Sequence, residues 1–396
     1  MLLYPPVTII VNLLHAQETL TGTGYYAYYL IEEMLKHPRQ PRIIGITSPL
    51  NHEAFAMPEP HPLYKRLMWG RPWKSVGMRR LEEWIYLQGF IKRLRKRFDK
   101  CTFWGPSNFA PLWRSGPTVV TIHDMTFFDH PEMLSPVRRW YWHFWTRRTL
   151  EVANDHLTVS EDARRQILRH FPMDPNLIDV IPNGTGRVFY VGRDEKGKPE
   201  RERALRAHLP ALPENYIFFL GTLTAHKNVP RLITALAMAR DRGCEDMHLV
   251  LAGKRGAQYE KVAEAIKAHH LHDYVHELGY VEDQWLPALY ENARAHVLPS
   301  FSEGFGMPIT EAMAAGTPVI TTNTGAMAEI GGDAALLADP YSAKEFADHL
   351  EALWKNEELY QRKRAEGLER ADYYTWERAA DETYWILEAS AYLANY

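Results

Sequence analysis

Cysteine is nearly absent: the 396-residue chain carries two, Cys101 and Cys244, with no metal-type spacing to each other or to histidine. A disulfide framework and a thiolate-bound metal are therefore excluded, and both residues read as packed thiols of a reducing compartment. The chain also lacks any Asp-x-Asp pair, and no His-x-x-x-His pair falls on a helical stretch, so no metal is expected. Excess charge is small, with 46 Lys+Arg against 49 Asp+Glu for a net −3. Such a molecule is not drawn as a whole to nucleic acid, and no nucleic-acid partner is expected. No apolar run approaches the roughly 18 residues of a membrane span. Leu2–Leu14 is apolar, but it has no basic flank or cleavage site and is broken by Pro5, Pro6 and Asn12. It reads as a first strand rather than a signal peptide. The expected location is the cytoplasm, with peripheral attachment to the inner face of the cell membrane as the one membrane option.

What is present is a globular balance of 46% hydrophobic and 24% charged residues, with 12 Trp and 21 Tyr. Length alone suggests two to three domains. Short apolar runs alternate with helical stretches, the pattern of parallel α/β sheets. The predicted strands of the first half are Val7–Asn12, Arg42–Thr47, Cys101–Trp104, Thr118–Ile122, His156–Val159 and Asp179–Ile181. Helices are predicted at Tyr25–Lys36, Arg79–Phe98, Pro136–Val152 and Ser160–His170. Asn183–Pro213 is polar and strand-free, and reads as a connection with one charged helix inside. The alternation restarts with strands Tyr216–Leu220, His248–Ala252, Val275–Leu278, Ala295–Leu298, Pro318–Thr321 and Ala334–Leu337. The helices between them are Pro230–Arg240, Tyr259–Ala268, Asp283–Asn292 and Pro308–Ala315. The expected domains are 1–190, 191–375 and an aromatic-rich helix, 376–396, returning to the first. Two doubly wound halves should face each other across a cleft, with ligands at the carboxyl ends of the strands.

The strongest local signal runs from Ser302 to Ile320, SEGFGMPITEAMAAGTPVI. It is an acid after a strand, a glycine-rich turn, and a helix opening at Pro308, where the missing N–H costs nothing. The amides of Gly304, Phe305, Gly306 and Met307, with the helix dipole, suit an anion. Glu303 and Glu311 flank them. The plain alternative is an ordinary strand–turn–helix with a capping glutamate. The segment resembles the E-x7-E motif of glycosyltransferase family 4, retaining enzymes of the GT-B fold, and the likeness continues through Thr321–Asn323 and Gly331–Leu337. The resemblance implies a GT-B chain in which Glu303 lies beside the donor sugar and Glu311 binds the ribose hydroxyls.

Leu220–Asn228 resembles the family's diphosphate-binding segment, with Lys227 as its lysine. The usual arginine does not carry over, since Thr222 and His226 stand where it is found. The turn at Gly279-Tyr280-Val281 resembles the base-binding turn, where main-chain groups of Tyr280 and Val281 would read the nucleobase edge. In the first half, Gly22 and Gly24 belong to a G-x-G-x-x-A phrase. A dinucleotide site needs an acid about 20 residues on; none is there, so a nicotinamide oxidoreductase is a poor reading and donor phosphates are the expected ligand. His123, at a strand end, resembles the family histidine that contacts the transferred sugar, with Asp124 holding its tautomer or touching acceptor.

These features imply a retaining, metal-independent hexosyltransferase without a cofactor. Its partners would be a nucleotide-diphosphate sugar and a glycan or lipid-linked glycan acceptor. The likeness to bacterial mannosyl- and rhamnosyltransferases of polysaccharide assembly makes GDP-mannose the first choice of donor. UDP-glucose, dTDP-rhamnose and GDP-fucose are alternatives, as are a GT-B sugar-nucleotide epimerase and a non-catalytic binder. Between Tyr64 and Lys100 twelve basic residues face three acids, interleaved with Trp69, Trp73, Trp84, Tyr86, Phe90 and Phe98. Arg138–Arg148 repeats that character. An anionic membrane surface is a candidate partner for both, against the plain reading that the aromatics pack inside.

Overall fold

A computed structural model describes residues 6–14, 22–57, 59–70, 86–129 and 135–393. The chain divides into two compact units, Met1–Gly184 with Trp376–Tyr396, and Thr185–Thr375.

Unit one is built on β1 (Thr8–Asn12), β2 (Arg42–Thr47), β3 (Tyr64–Met68), β4 (Cys101–Gly105), β5 (Thr118–Ile122), β6 (Asp155–Thr158) and β7 (Ile178–Val180). They form one seven-stranded parallel sheet in the order β3-β2-β1-β4-β5-β6-β7. The central strands are β-branched runs buried along their whole length (TIIVN, TVVTI), as a sheet covered on both faces requires. The six predicted strands fall on β1, β2, β4, β5, β6 and β7, each within a residue at either end. The missed strand, β3, is the edge strand YKRLM, half-exposed and carrying Lys65 and Arg66. Its charge suits a guarded edge and hides it from a search for apolar runs. The helices are α1 (Gly22–Leu35), α2 (Gln88–Arg95), α3 (Thr126–Asp129), α4 (Pro136–Val152) and α5 (Glu161–His170). Ser160 caps α5 by accepting from the Ala163 amide at 3.0 Å. The first residues of the predicted helix Arg79–Phe98 lie outside the described residues. The C-terminal helix Trp376–Leu393 packs on α1, with Trp376 stacked on Tyr29 at 5.3 Å.

Unit two contains β8 (Tyr216–Leu220), β9 (His248–Ala252), β10 (Val275–Gly279), β11 (Ala295–Leu298), β12 (Val319–Thr322) and β13 (Leu336–Ala338). They form a six-stranded parallel sheet ordered β10-β9-β8-β11-β12-β13. The helices are α6 (Lys198–His208), α7 (Val229–Asp241), α8 (Glu260–Ala268), α9 (Leu286–Asn292), α10 (Met307–Ala314), α11 (Gly325–Gly331), α12 (Ala343–Lys355) and α13 (Glu357–Ala371). Both units are thus Rossmann-like. In each, the strand order reverses beside the first strand, the place where open α/β sheets leave a ligand crevice.

In unit two this edge is made rigid by backbone crossing backbone. The Gly221 amide bonds the Ala252 carbonyl at 2.9 Å, and the Gly253 amide bonds the Gly279 carbonyl at 2.6 Å. Gly253 sits at φ +137°, and a β-carbon there would lie 2.0 Å from the Gly221 carbonyl oxygen. Replacing Gly253 with Ala is expected to cost roughly 2–4 kcal/mol through strain and clash. Thermal denaturation should show it as a melting point lower by roughly 5–15 °C; an unchanged midpoint would show that the loops give way freely.

Candidate active site

In unit two the chain leaves β11, turns through Glu303 and Gly304, and enters α10 after Gly306. Gly306 adopts φ +90°, ψ 53°, a conformation that costs glycine nothing. Pro308 stands in the first turn. The Phe305 ring packs inward, edge-on to Tyr374 at 5.7 Å, so this residue offers its main chain to the edge rather than its side chain.

Lys227 comes from the loop after β8, in a single 3-10 turn, Ala225–Lys227. Its ammonium lies 2.6 Å from Glu303 Oε1, with the two side chains 14% and 15% exposed. Two predicted site residues, 76 positions apart, therefore meet as one nearly buried ion pair. Asn228 holds the loop for this contact. It takes the left-handed conformation (φ 56°) and donates from Nδ2 to the carbonyls of Pro299 at 3.0 Å and Pro340 at 2.7 Å. The Phe301 amide adds a bond to the His226 carbonyl at 2.9 Å. Thr222 is exposed, while the Thr224 hydroxyl lies 3.1 Å from His226 Nδ1.

Burial would push the Glu303 carboxyl up, but the Lys227 ammonium more than offsets it and the net shift is downward. Glu311, on the next turns of α10, goes the other way. Burial lifts its carboxyl to about 7; the Tyr290 hydroxyl, donating to Oε2 at 2.9 Å, opposes the rise, and Asp283 adds to it. Tyr290, which sequence reasoning missed, has no distinguishing sequence motif: it is one aromatic on a helix. At the end of β10, Gly279 has φ +68° and Tyr280 is 55% exposed. The Lys254 ammonium lies 5.5 Å from the Tyr280 ring centre, and Val281 is half-buried beside it.

Unit one holds the remaining candidates. Gly22 and Gly24 open α1, whose Tyr26 presents its ring edge-on to His123 at 4.7 Å. The Tyr26 and Thr121 hydroxyls are 3.1 Å apart. His123 is 8% exposed. Its Nε2 donates to the Pro106 carbonyl at 2.7 Å, and its amide donates to Asn108 Oδ1 at 3.0 Å. Burial lowers its pKa, so the ring is neutral at pH 7 with its lone pair on Nδ1. The tautomer is therefore held by Pro106 rather than by Asp124, whose Oδ1 accepts from the Thr126 amide at 3.0 Å and so begins α3. Pro106 and Asn108 were legible only as a Gly-Pro-Ser-Asn turn after β4. Among the described residues no group of three or more His, Cys, Asp or Glu can hold a metal ion.

A family model described as glycosyl transferases group 1 matches residues 200–370, and one described as glycosyltransferase family 4 matches residues 20–185. The chain belongs to the glycosyltransferases. It is similar to O-antigen chain mannosyltransferase B of Escherichia coli, at 29% identity over 70% of this chain and 72% of that one. It is also similar to O-antigen chain mannosyltransferase RfbU of Salmonella typhimurium, at 27% identity over 66% of each chain. Sucrose-phosphate synthase from Thermosynechococcus elongatus superimposes with a TM-score of 0.74 at 19% identity, covering 96% of this chain and 98% of that one. The fold of this glycosyltransferase is GT-B.

The Lys227–Glu303 pair has a consequence for stability. Because the folded Glu303 pKa lies below its ordinary 4.5, the pair stabilises the fold above that pH and loses its effect as pH falls through the folded value. Lys227→Ala leaves a buried carboxylate alone and is expected to cost roughly 3 kcal/mol near pH 7. Adding Glu303→Gln should restore most of that. Denaturant unfolding of both variants checks the cycle; a double variant no more stable than Lys227→Ala would show that the two charges are uncoupled.

Proposed function

We propose that this glycosyltransferase is a retaining mannosyltransferase that moves mannose from GDP-mannose to a glycan or lipid-linked glycan acceptor without a metal. The observation that carries the reading is the nearly buried Lys227–Glu303 pair at the mouth of α10, with Glu311 farther along the same helix. The names of the two O-antigen mannosyltransferase relatives support the choice of sugar.

In this reading the donor diphosphate draws Lys227 toward itself, aided by Thr222, His226 and the N-terminal amides of α10 at Gly304, Phe305, Gly306 and Met307. A helix N-terminus carries roughly half a positive charge, so it favours the departing diphosphate most as its charge grows. Glu303, released from Lys227, faces the sugar as positive charge develops there. Glu311 accepts from the ribose hydroxyls, and main-chain groups of Tyr280 and Val281 read the base. His123, neutral and held through Nε2, accepts from a sugar hydroxyl at Nδ1. Gly22 and Gly24 let the backbone approach phosphate, and Asp124 meets the acceptor. The bond from the anomeric carbon to phosphate breaks as the acceptor oxygen bonds on the same face, and the acceptor's proton passes to the leaving phosphate.

The test is a screen of sugar nucleotides with EDTA present, reading transfer or hydrolysis and the anomeric configuration of the product. GDP-mannose should be consumed fastest, with retention. At saturating donor, Lys227→Ala and Glu303→Ala should each lower kcat by about 30- to 1,000-fold, as expected for loss of roughly 2–4 kcal/mol of transition-state stabilisation. Glu311→Ala should mainly raise donor KM. Severe loss of kcat in Glu311→Ala with none in Glu303→Ala would exchange the two roles.

An anionic membrane is part of the same reading, and the surface that fits it is α4. Its Val137, Trp140 and Phe144 are 76%, 69% and 43% exposed, Trp140 stacks on Phe144 at 5.6 Å, and Arg138, Arg139 and Arg147 are exposed around them. On α2 the expectation changes. Phe90 and Phe98, with Trp69, pack against Ile91 and Leu94 in the core. Arg95 turns inward to the Ser115 hydroxyl at 3.1 Å and to the Pro117 carbonyl. Trp73 and Trp84 lie outside the described residues, and no described helix is long and apolar enough to cross a membrane. Replacing Trp140 and Phe144 with Ala and Arg138 and Arg139 with Ser should weaken sedimentation with phosphatidylglycerol vesicles, by about 1 kcal/mol for each basic residue near the surface. Equal sedimentation of wild type and variant would remove α4 as the contact.

A further inference from the structure

Tyr290, in the last turns of α9, is fully buried. A buried phenolic hydroxyl is costly unless it finds an acceptor, and the acceptor here is Glu311 Oε2 at 2.9 Å. The ring has little room to turn away. It meets Phe218 at 5.0 Å, His296 at 5.2 Å and Phe189 at 5.9 Å, each close to edge-on. Its main chain is tied as well, for the Thr317 hydroxyl donates to the Tyr290 carbonyl at 2.6 Å. One residue therefore grips the α10 segment twice, at the carboxylate inside the helix and at the turn just past its end.

We propose that Tyr290 is a positioning residue for donor binding: its hydroxyl holds one oxygen of Glu311 and leaves the other to accept from the ribose hydroxyls. This rests on the assignment of Glu311 to the ribose made above. A ribose diol offers hydrogen-bond donors, and the carboxylate accepts them more strongly than the acid form does. The titratable groups that act on Glu311 are Tyr290 and Asp283, the latter in the turn before α9. Of the other elements against α10, α13 contributes Arg364, which turns to the Gly192 carbonyl and Glu195, and β11 contributes His296, which meets the Tyr290 ring. Burial first, and then the Asp283 charge, favour the acid form of Glu311, and the Tyr290 O–H opposes them by favouring the carboxylate. Tyr290 thus extends the range over which the donor binds toward acid pH.

Calorimetry of GDP and UDP binding to the full chain, from about pH 5.5 to 8.5 and in buffers of different ionisation enthalpy, tests this, since both nucleotides carry the ribose. The tighter nucleotide should bind with release of protons near neutral pH. Tyr290→Phe should weaken it about tenfold, the effect of losing one hydrogen bond to a charged group. It should also move the acid-side loss of affinity to higher pH, while kcat at saturating donor changes by less than about twofold. In a Glu311→Gln background, which cannot titrate, Tyr290→Phe should have almost no further effect on affinity. If neither nucleotide binds, or if Glu311→Gln binds like wild type, the ribose assignment fails and the proposal with it. If Glu311→Gln weakens binding but Tyr290→Phe leaves affinity and pH dependence unchanged, the Tyr290 role alone is overturned. Should Tyr290→Phe not fold, the wild-type chain decides: binding without proton release across the range overturns the proposal.

Discussion

Two opposite charges taken out of water and set against each other organise the working edge of unit two. Lys227 and Glu303 lie 2.6 Å apart, and neither can be buried alone without a large desolvation cost. Their contact requires the loop after β8 to reach the loop after β11. Asn228 makes that reach permanent by tying its side chain to the Pro299 and Pro340 carbonyls. The left-handed Asn228, the glycine crossings at Gly221 and Gly253, and the bend at Gly306 all serve one end: bringing polar groups from several strand ends to one edge.

The two glutamates of this edge differ in charge behaviour because their neighbours differ. Glu303 has an ammonium in contact and is held in the carboxylate form. Glu311 has a phenol and a nearby aspartate, and its carboxyl is lifted to about 7. Because that folded value is above the ordinary 4.5, Glu311 opposes folding increasingly as pH rises from the ordinary value through the folded one. The fold therefore keeps a group whose burial disfavours its charge, and the Tyr290 hydroxyl, by donating to the carboxylate, relieves part of that cost. Carboxylates whose acidities are pushed apart in this way are suited to different roles. Unit one uses a neutral group instead: His123 spends Nε2 on the Pro106 carbonyl and keeps one lone pair.

Two units with parallel sheets were legible in the residues, because buried strands must be continuous apolar runs and crossover helices must follow each. Most predicted strands match within a residue or two for that reason. The basic edge strand β3 escaped because solvent on its flank lifts the apolar requirement. The Glu303–Glu311 segment was legible for a different reason. An acid, a glycine turn, a proline and a second acid form one continuous phrase, and local backbone geometry accounts for its Gly306 and Pro308. On α2 the sequence showed basic and aromatic residues without saying which face each takes, and only packing turned Phe90, Phe98 and Arg95 inward.

By itself, then, the sequence determined what depends on neighbours along the chain: strand and helix order, the α10 turn, the strand-end position of Lys227 and His123, and the family likeness these carry. The tertiary structure decided what depends on neighbours across it. Glu303 meets Lys227 from 76 residues away, Glu311 meets Tyr290 from 21, and His123 takes its tautomer from Pro106, 17 residues before it. Desolvation and Coulomb terms depend on distance in space, and a one-dimensional pattern specifies such distances only after the chain has folded.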